Sequence, residues 1–187
     1  MDLNKKSKFL SLLLRHKPAA LGLTMDIKGF VSVQQILDNS NSGKYPCDPF
    51  TLDDIKEIVF TDEKSRYSFD FEMQKVRANQ GHSIDVELDL VPQTPPKYLF
   101  HGTSKKAIEF IKKEGIKPMS RNHVHLSHDV ETAKNVGSRG KRGAPIILRI
   151  RAYDLHQYFV KFYLSQNGVW LTESVIPFEF TEIYYVA

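Results

Sequence analysis

The chain has 187 residues, enough for one or two domains, and its 41 % hydrophobic and 26 % charged composition excludes disorder as its overall state. Apolar runs such as Leu12-Leu13-Leu14 are too short for a membrane span or a secretory signal, and the single cysteine, Cys47, excludes an internal disulfide and a cysteine-built zinc site. The net charge of +4 is uneven: residues 1–96 carry 12 Lys+Arg against 14 Asp+Glu, while residues 97–187 carry 14 against 8.

In chain order, Lys6 to Arg15 predicts a helix with Phe9, Leu10, Leu13 and Leu14 on one face, stopped by Pro18. Ser32-Val-Gln-Gln35 has the capping-box pattern and opens a short helix through Leu37. Residues 39–49, rich in Asn, Ser, Gly and Pro, read as an exposed loop, and Thr51-Leu-Asp-Asp54 caps a helix to about Phe60. Tyr67–Phe71 and Gln74–Ala78 read as paired strands. Short helices followed by a hairpin predict a winged-helix-like lobe over residues 1–91. Three prolines within Pro92–Pro96 mark a linker where the charge changes sign.

Beyond it, Tyr98–His101 reads as a strand and Lys105–Glu114 as a helix closed by Gly115. Val124–Ser127 reads as a strand, followed by a helix capped by Asp129 and running to Val136. Further strands are expected at 146–150, 168–171 and 181–186. Residues 97–187 are therefore an α+β lobe, and no Gly-x-Gly-x-x-Gly turn marks a dinucleotide fold.

Several polar clusters could carry chemistry. Arg15-His16 ends the first helix, either as a charge complementing the macrodipole or as a guanidinium–imidazole clamp for phosphate. Arg77-Ala-Asn-Gln-Gly-His82-Ser83 follows a strand and turns at Gly81, as a polar turn or a ligand-contacting loop. In His101-Gly102-Thr103-Ser104 the glycine would let backbone approach a ligand, while Ser104 could cap the next helix. His123, His125 and Ser127 share one strand face, which suits a nucleotide pocket better than a metal, because no carboxylate or cysteine completes a tetrahedral set. The basic loop from Gly137 to Gly143 suits an anion or is simply solvated.

Together these pieces resemble the RNA 2′-phosphotransferase family, also called tRNA 2′-phosphotransferases. The matching segments are Leu-Leu-Arg15-His16-x-Pro, Gly-Phe-Val-Ser-Val, Val-Arg77-Ala-Asn-Gln-Gly-His82-Ser, Thr-Pro-Pro, Leu-Phe-His101-Gly-Thr-Ser, Arg121-x-His-Val-His125-Leu-Ser127 and Val-Gly-Ser-Arg139, in the family's order over nearly the whole chain. The resemblance implies a winged-helix RNA lobe and an ADP-ribosyltransferase-like lobe with a mostly antiparallel split sheet. It also implies NAD⁺ consumed as co-substrate, with no metal. The RNA 2′-phosphate is ADP-ribosylated with loss of nicotinamide, and ADP-ribose 1″,2″-cyclic phosphate then leaves RNA with a free 2′-hydroxyl.

Residue by residue, the resemblance assigns Arg15, His16 and Arg77 to the phosphate clamp and Arg139 to the second step, with Arg142 the alternative in the same loop. Gln80 and His82 are expected to contact the RNA. His101, Gly102, Thr103, His125 and Ser127 are expected to bind NAD⁺. Where protein-modifying relatives place a glutamate, the family places an apolar residue, here matched by Val175, with Glu173 two residues earlier as the alternative. The expected partner is RNA with an internal 2′-phosphate, of the tRNA splice-junction type, and the chain is expected to be a cytoplasmic or nuclear monomer. The alternatives are ADP-ribosyl transfer onto terminal phosphates of nucleic acid, or RNA binding without catalysis.

Overall fold

The computed structural model describes residues 2–138 and 144–184. The chain divides into two compact units, Met1–Asp89 and Leu90–Ala187, each with its own apolar core.

The first unit opens with α1 (Leu3–Arg15), whose N-cap Asp2 accepts from the Asn4 amide and whose inner face buries Leu10, Leu13 and Leu14. The helix stops where Pro18 begins a 3₁₀ turn, Pro18–Leu21. Next come β1 (Val31–Ser32), α2 (Val33–Asn41), α3 (Leu52–Phe60), β2 (Tyr67–Phe69) and β3 (Lys75–Ala78). The strands form an antiparallel sheet in the order β1-β3-β2, with Val31 opposite Val76 and Ser68 opposite Arg77. Ile36, Phe50, Ile55 and Val76 close the core over α1, and burying each such side chain is worth about 1.5–3 kcal/mol.

Two expectations shift here. Helix α2 runs to Asn41, four residues past Leu37, so the mostly exposed loop expected from residue 39 begins at residue 42, with its two ends tied together. Asn41 donates to the Phe50 carbonyl, Ser40 Oγ accepts from the Phe50 amide, and Phe50 is buried. Lys6 is drawn into the fold: its Nζ is buried against Asp54 Oδ2 at 2.6 Å and lies over the Phe50 ring.

Asp54 therefore has two duties. As residue N3 of α3 it completes the capping box, accepting from the Thr51 amide while its own amide donates to Thr51 Oγ1. Burial pushes its carboxyl up, but the hydrogen bonds from Lys6 and Thr51 outweigh that and bring it from 3.8 to about 2. A depressed folded value means that the stabilisation is complete above about pH 4 and is lost as the pH falls through about 2. Thermal melts between pH 2 and 6 should show Asp54→Asn less stable than the parent at pH 6, with the difference shrinking steeply as the pH approaches 2.

The second unit contains β4 (Leu99–Ser104), α4 (Lys105–Glu114), β5 (Val124–Leu126), α5 (Val130–Gly137), β6 (Pro145–Ile150), α6 (Ala152–Gln157), β7 (Tyr163–Leu164), β8 (Trp170–Thr172) and β9 (Thr181–Tyr184). Its strands form two antiparallel sheets, β4-β6-β9 and β5-β8-β7. Phe100 and Ser127 exchange both backbone hydrogen bonds, at 2.9 and 2.7 Å, which joins β4 to the end of β5. Alternation puts Leu99, Leu148 and Ile150 into the core. The Pro-rich segment runs within this unit, with Pro92 bridged to Tyr163 and the Gln93 amide donating to the Phe162 carbonyl.

Gly102 is the most tightly enclosed of the described glycines in the second unit. A Cβ there would stand 1.8 Å from the Ala133 carbonyl oxygen and 2.8 Å from the Gly137 amide nitrogen, so the backbone of α5 rests directly on β4. The architecture is α+β with small antiparallel sheets, and among the described residues no helix is long and apolar enough to cross a membrane.

Candidate functional site

Two polar clusters stand out, one in each unit. In the first unit, α1 ends at Arg15 with His16 as its C-cap, and the loop after β3 returns to meet it. The Ser83 amide donates to the Arg15 carbonyl at 3.0 Å, and the Ser83 hydroxyl bonds His16 Nδ1 at 2.9 Å. Gly81, at φ +90°, lets this loop lie over Arg15: a Cβ there would sit 3.5 Å from Arg15 Nε.

Arg77 projects from β3 and is only 8 % exposed. Its guanidinium lies over the Phe30 ring, 4.7 Å from the centroid, and one terminal nitrogen donates to the Lys28 carbonyl at 3.3 Å. No carboxylate among the described residues pairs with it, and its buried Nε has no hydrogen-bond partner. His82, 2 % exposed, packs its ring against Gly29 of the same turn. Arg77 and His82 therefore both rest on residues 28–30, while Arg15 and His16 are held by residues 81–83. A buried cation with no carboxylate partner among the described residues, resting on the same turn as a buried imidazole, is suited to an anion with several oxygens.

Other loop positions have plainer duties. Asn79 is buried and ties the end of β3 to the preceding turn, donating to the Ser65 carbonyl and accepting from Ser68 Oγ. Gln80 follows it, half-buried.

In the second unit, His101 and His125 lie on neighbouring strands. His101 Nδ1 meets the His125 carbonyl at 3.2 Å, and His125 Nδ1 meets the His123 carbonyl at 2.9 Å. A carbonyl only accepts, so each Nδ1 carries the proton, and in the neutral ring Nε2 is then an acceptor. Burial pushes His101 below its ordinary pKa against the pull of the His125 carbonyl, which favours that neutral form. Thr103 is buried on the His101 side of β4, and Ser127 follows β5 at the bridge to Phe100.

Gly102 lies between these residues, but the side where it lacks a Cβ is filled by α5. Its smallness serves helix-on-strand packing there. His123 Nε2 lies 3.7 Å from Glu173 Oε1, and its ring meets Tyr163 edge-on. Val175 is exposed. Arg139 and Arg142 lie outside the described residues, and among those described no group of three or more His, Cys, Asp or Glu is placed to hold a metal.

Sequence reasoning overlooked Phe30 and the Lys28 carbonyl as supports of Arg77, and Ser83 as the partner of His16. Ser83 could have been found from its place in Gln-Gly-His82-Ser83. A backbone carbonyl and a ring face leave no such mark.

A family model described as "RNA 2'-phosphotransferase, Tpt1 / KptA family" matches residues 2–174. The chain is 47 % identical over 171 residues to a protein of Flavobacterium johnsoniae, covering 91 % of each chain. It is 46 % identical over 172 residues to one of Fusobacterium nucleatum, covering 91 % of this chain and 93 % of the relative. It is 45 % identical over 173 residues to one of Trichormus variabilis, covering 92 % of each. All three relatives carry the description "Probable RNA 2'-phosphotransferase".

Proposed function

The chain belongs to the RNA 2′-phosphotransferase, Tpt1 / KptA family, and from that premise we propose that it removes an internal 2′-phosphate from RNA, of the kind a tRNA splice junction carries, with NAD⁺ consumed as second substrate. The observation that carries this reading is Arg77: a buried guanidinium held by a carbonyl and a ring, with no acid among the described residues to neutralise it.

The chemistry fits this inventory. An RNA 2′-phosphate is already anionic at neutral pH, so its oxygen attacks C1″ of the nicotinamide ribose without a general base. The C1″–N bond breaks and its electron pair leaves with nicotinamide, which departs neutral and needs no acid. The ribose 2″-hydroxyl then attacks phosphorus and the P–O2′ bond breaks. The hydroxyl proton ends on the RNA 2′ oxygen, and phosphate leaves as ADP-ribose 1″,2″-cyclic phosphate. What the protein must supply is alignment and charge stabilisation on the transferring phosphoryl group, which guanidinium groups provide. Arg15, His16 and Arg77 take that role, with Arg139 acting in the second step.

His101 and His125 suit the dinucleotide, because in each ring the Nδ1–H is taken by a backbone carbonyl, so a ribose hydroxyl would be met through Nε2, with Thr103 and Ser127 supplying further hydroxyls. The order helix–strand–helix–helix–strand–strand in the first unit supports a winged-helix reading. The paired antiparallel sheets of the second support an ADP-ribosyltransferase-like one.

The test is a short RNA with one radiolabelled internal 2′-phosphate, incubated with and without NAD⁺. The expected result is label released as ADP-ribose cyclic phosphate only when NAD⁺ is present. Label accumulating on ADP-ribosylated RNA would instead indicate a one-step transferase, and untouched label with folded protein would indicate binding alone.

A further inference from the structure

We infer that Phe30 is a positioning residue for the reaction, its ring face holding the Arg77 guanidinium in place of the carboxylate that a buried arginine ordinarily pairs with. The inference rests on the phosphate-clamp reading above and extends it to a residue that never touches substrate.

Burying an arginine is costly, and proteins usually offset that cost with an acid. Arg77 is 8 % exposed and has none among the described residues. Its supports are the Lys28 carbonyl, which occupies one N–H at 3.3 Å, and the Phe30 ring at 4.7 Å. The two kinds of support act differently. A carboxylate would engage two N–H groups side by side and cancel the charge. A ring face attracts the cation through its quadrupole and fixes the guanidinium plane, yet uses no N–H at all. The guanidinium thus keeps both its charge and its donor edge for a phosphate.

Local structure places the ring where it is needed. Asp26 Oδ1 accepts from the Lys28 and Phe30 amides, and the Phe30 carbonyl accepts from the Asp26 amide, which closes the turn from which Phe30 projects. β1 follows at once, pairing Val31 with Val76 next to Arg77. The buried ring of His82 supports the same turn at Gly29. The half-buried position of Phe30 leaves the main core of the unit to other residues.

The experiment measures dissociation constants of the full chain for two short single-stranded RNAs, one with an internal 2′-phosphate and one with a 2′-hydroxyl at the same place. The ratio between them reports the clamp alone. Phe30→Leu is expected to shrink that ratio by about 3- to 30-fold, the range of a partly desolvated cation–ring contact, while Phe30→Tyr preserves it. Thermal melts run alongside, and Phe30→Met serves as the ringless variant if leucine destabilises the unit. An unchanged ratio in a folded ringless variant overturns the inference. So does equal weakening toward both RNAs, which is what a purely structural role would give. If the parent protein shows no preference for the phosphorylated RNA, the clamp reading itself fails, and that result is distinct from a preference that survives loss of the ring.

Discussion

Arg77→Ala is expected to lower the rate of 2′-phosphate removal by about 10²–10³-fold, the usual effect of deleting one charge-stabilising donor at a transferring group. The same substitution should barely move the melting temperature. It removes packing against Phe30, but it also removes a buried charge that no carboxylate among the described residues balances, and the two effects oppose each other. A large loss of activity at near-constant stability is what separates a residue kept for chemistry from one kept for the fold. Single-turnover assays on the labelled RNA, with melts in parallel, give both numbers. Near-normal turnover in folded Arg77→Ala would remove this residue from the clamp.

Gly102→Ala is expected to do the reverse, damaging the fold of the second unit first and activity only in consequence. The added methyl would meet the Ala133 carbonyl oxygen at 1.8 Å and the Gly137 amide nitrogen at 2.8 Å. Those are backbone atoms of a helix packed along β4, so no side-chain rotation relieves the clash. Overpacking costs about 1–3 kcal/mol where neighbours can adjust and more where they cannot, so a drop of about 10 °C or more is expected for the transition of this unit. The first unit should keep its own stability, and the substituted chain should still prefer 2′-phosphorylated RNA. Calorimetry and the paired RNA titrations check these points, and an unchanged melt would mean that α5 moves away from β4 at little cost.

Legibility in the sequence followed the locality of the cause. Helix α3 could be read because its start is written in Thr51 and Asp54, three residues apart, and the structure makes both reciprocal bonds. Helix α4 could be read from Ser104 at its start and from Gly115 at its end. β1, β7 and α6 were missed: the two strands have two residues each, and α6 has six residues with no side-chain cap on Arg151. Short elements like these are held by their neighbours rather than by their own pattern.

The site divides in the same way. Arg15, His16, Arg77 and His82 announce themselves as polar residues where an apolar face or strand should end. What holds them does not, because Phe30 lies 47 positions from Arg77 and looks like any aromatic before a strand. Gly102 was legible as a glycine needed at that position, but its partner, a helix backbone, appears only when the chain has folded.

The staple between Ser83 and the end of α1 has a further consequence. The two partners are 67 positions apart, so this half of the proposed clamp owes nothing to local chain stiffness and exists only while residues 81–83 stay docked. Undocking that segment breaks at least the Ser83–Arg15 backbone bond and the Ser83–His16 side-chain bond, each worth about 1 kcal/mol, and lifts the buried His82 ring off Gly29, while the residues of the apolar core lie outside it. The enzyme can therefore fall idle well below the temperature at which it melts. A sample warmed into that interval would show native circular dichroism and an unchanged radius, and it would recover its turnover on cooling without ever having unfolded.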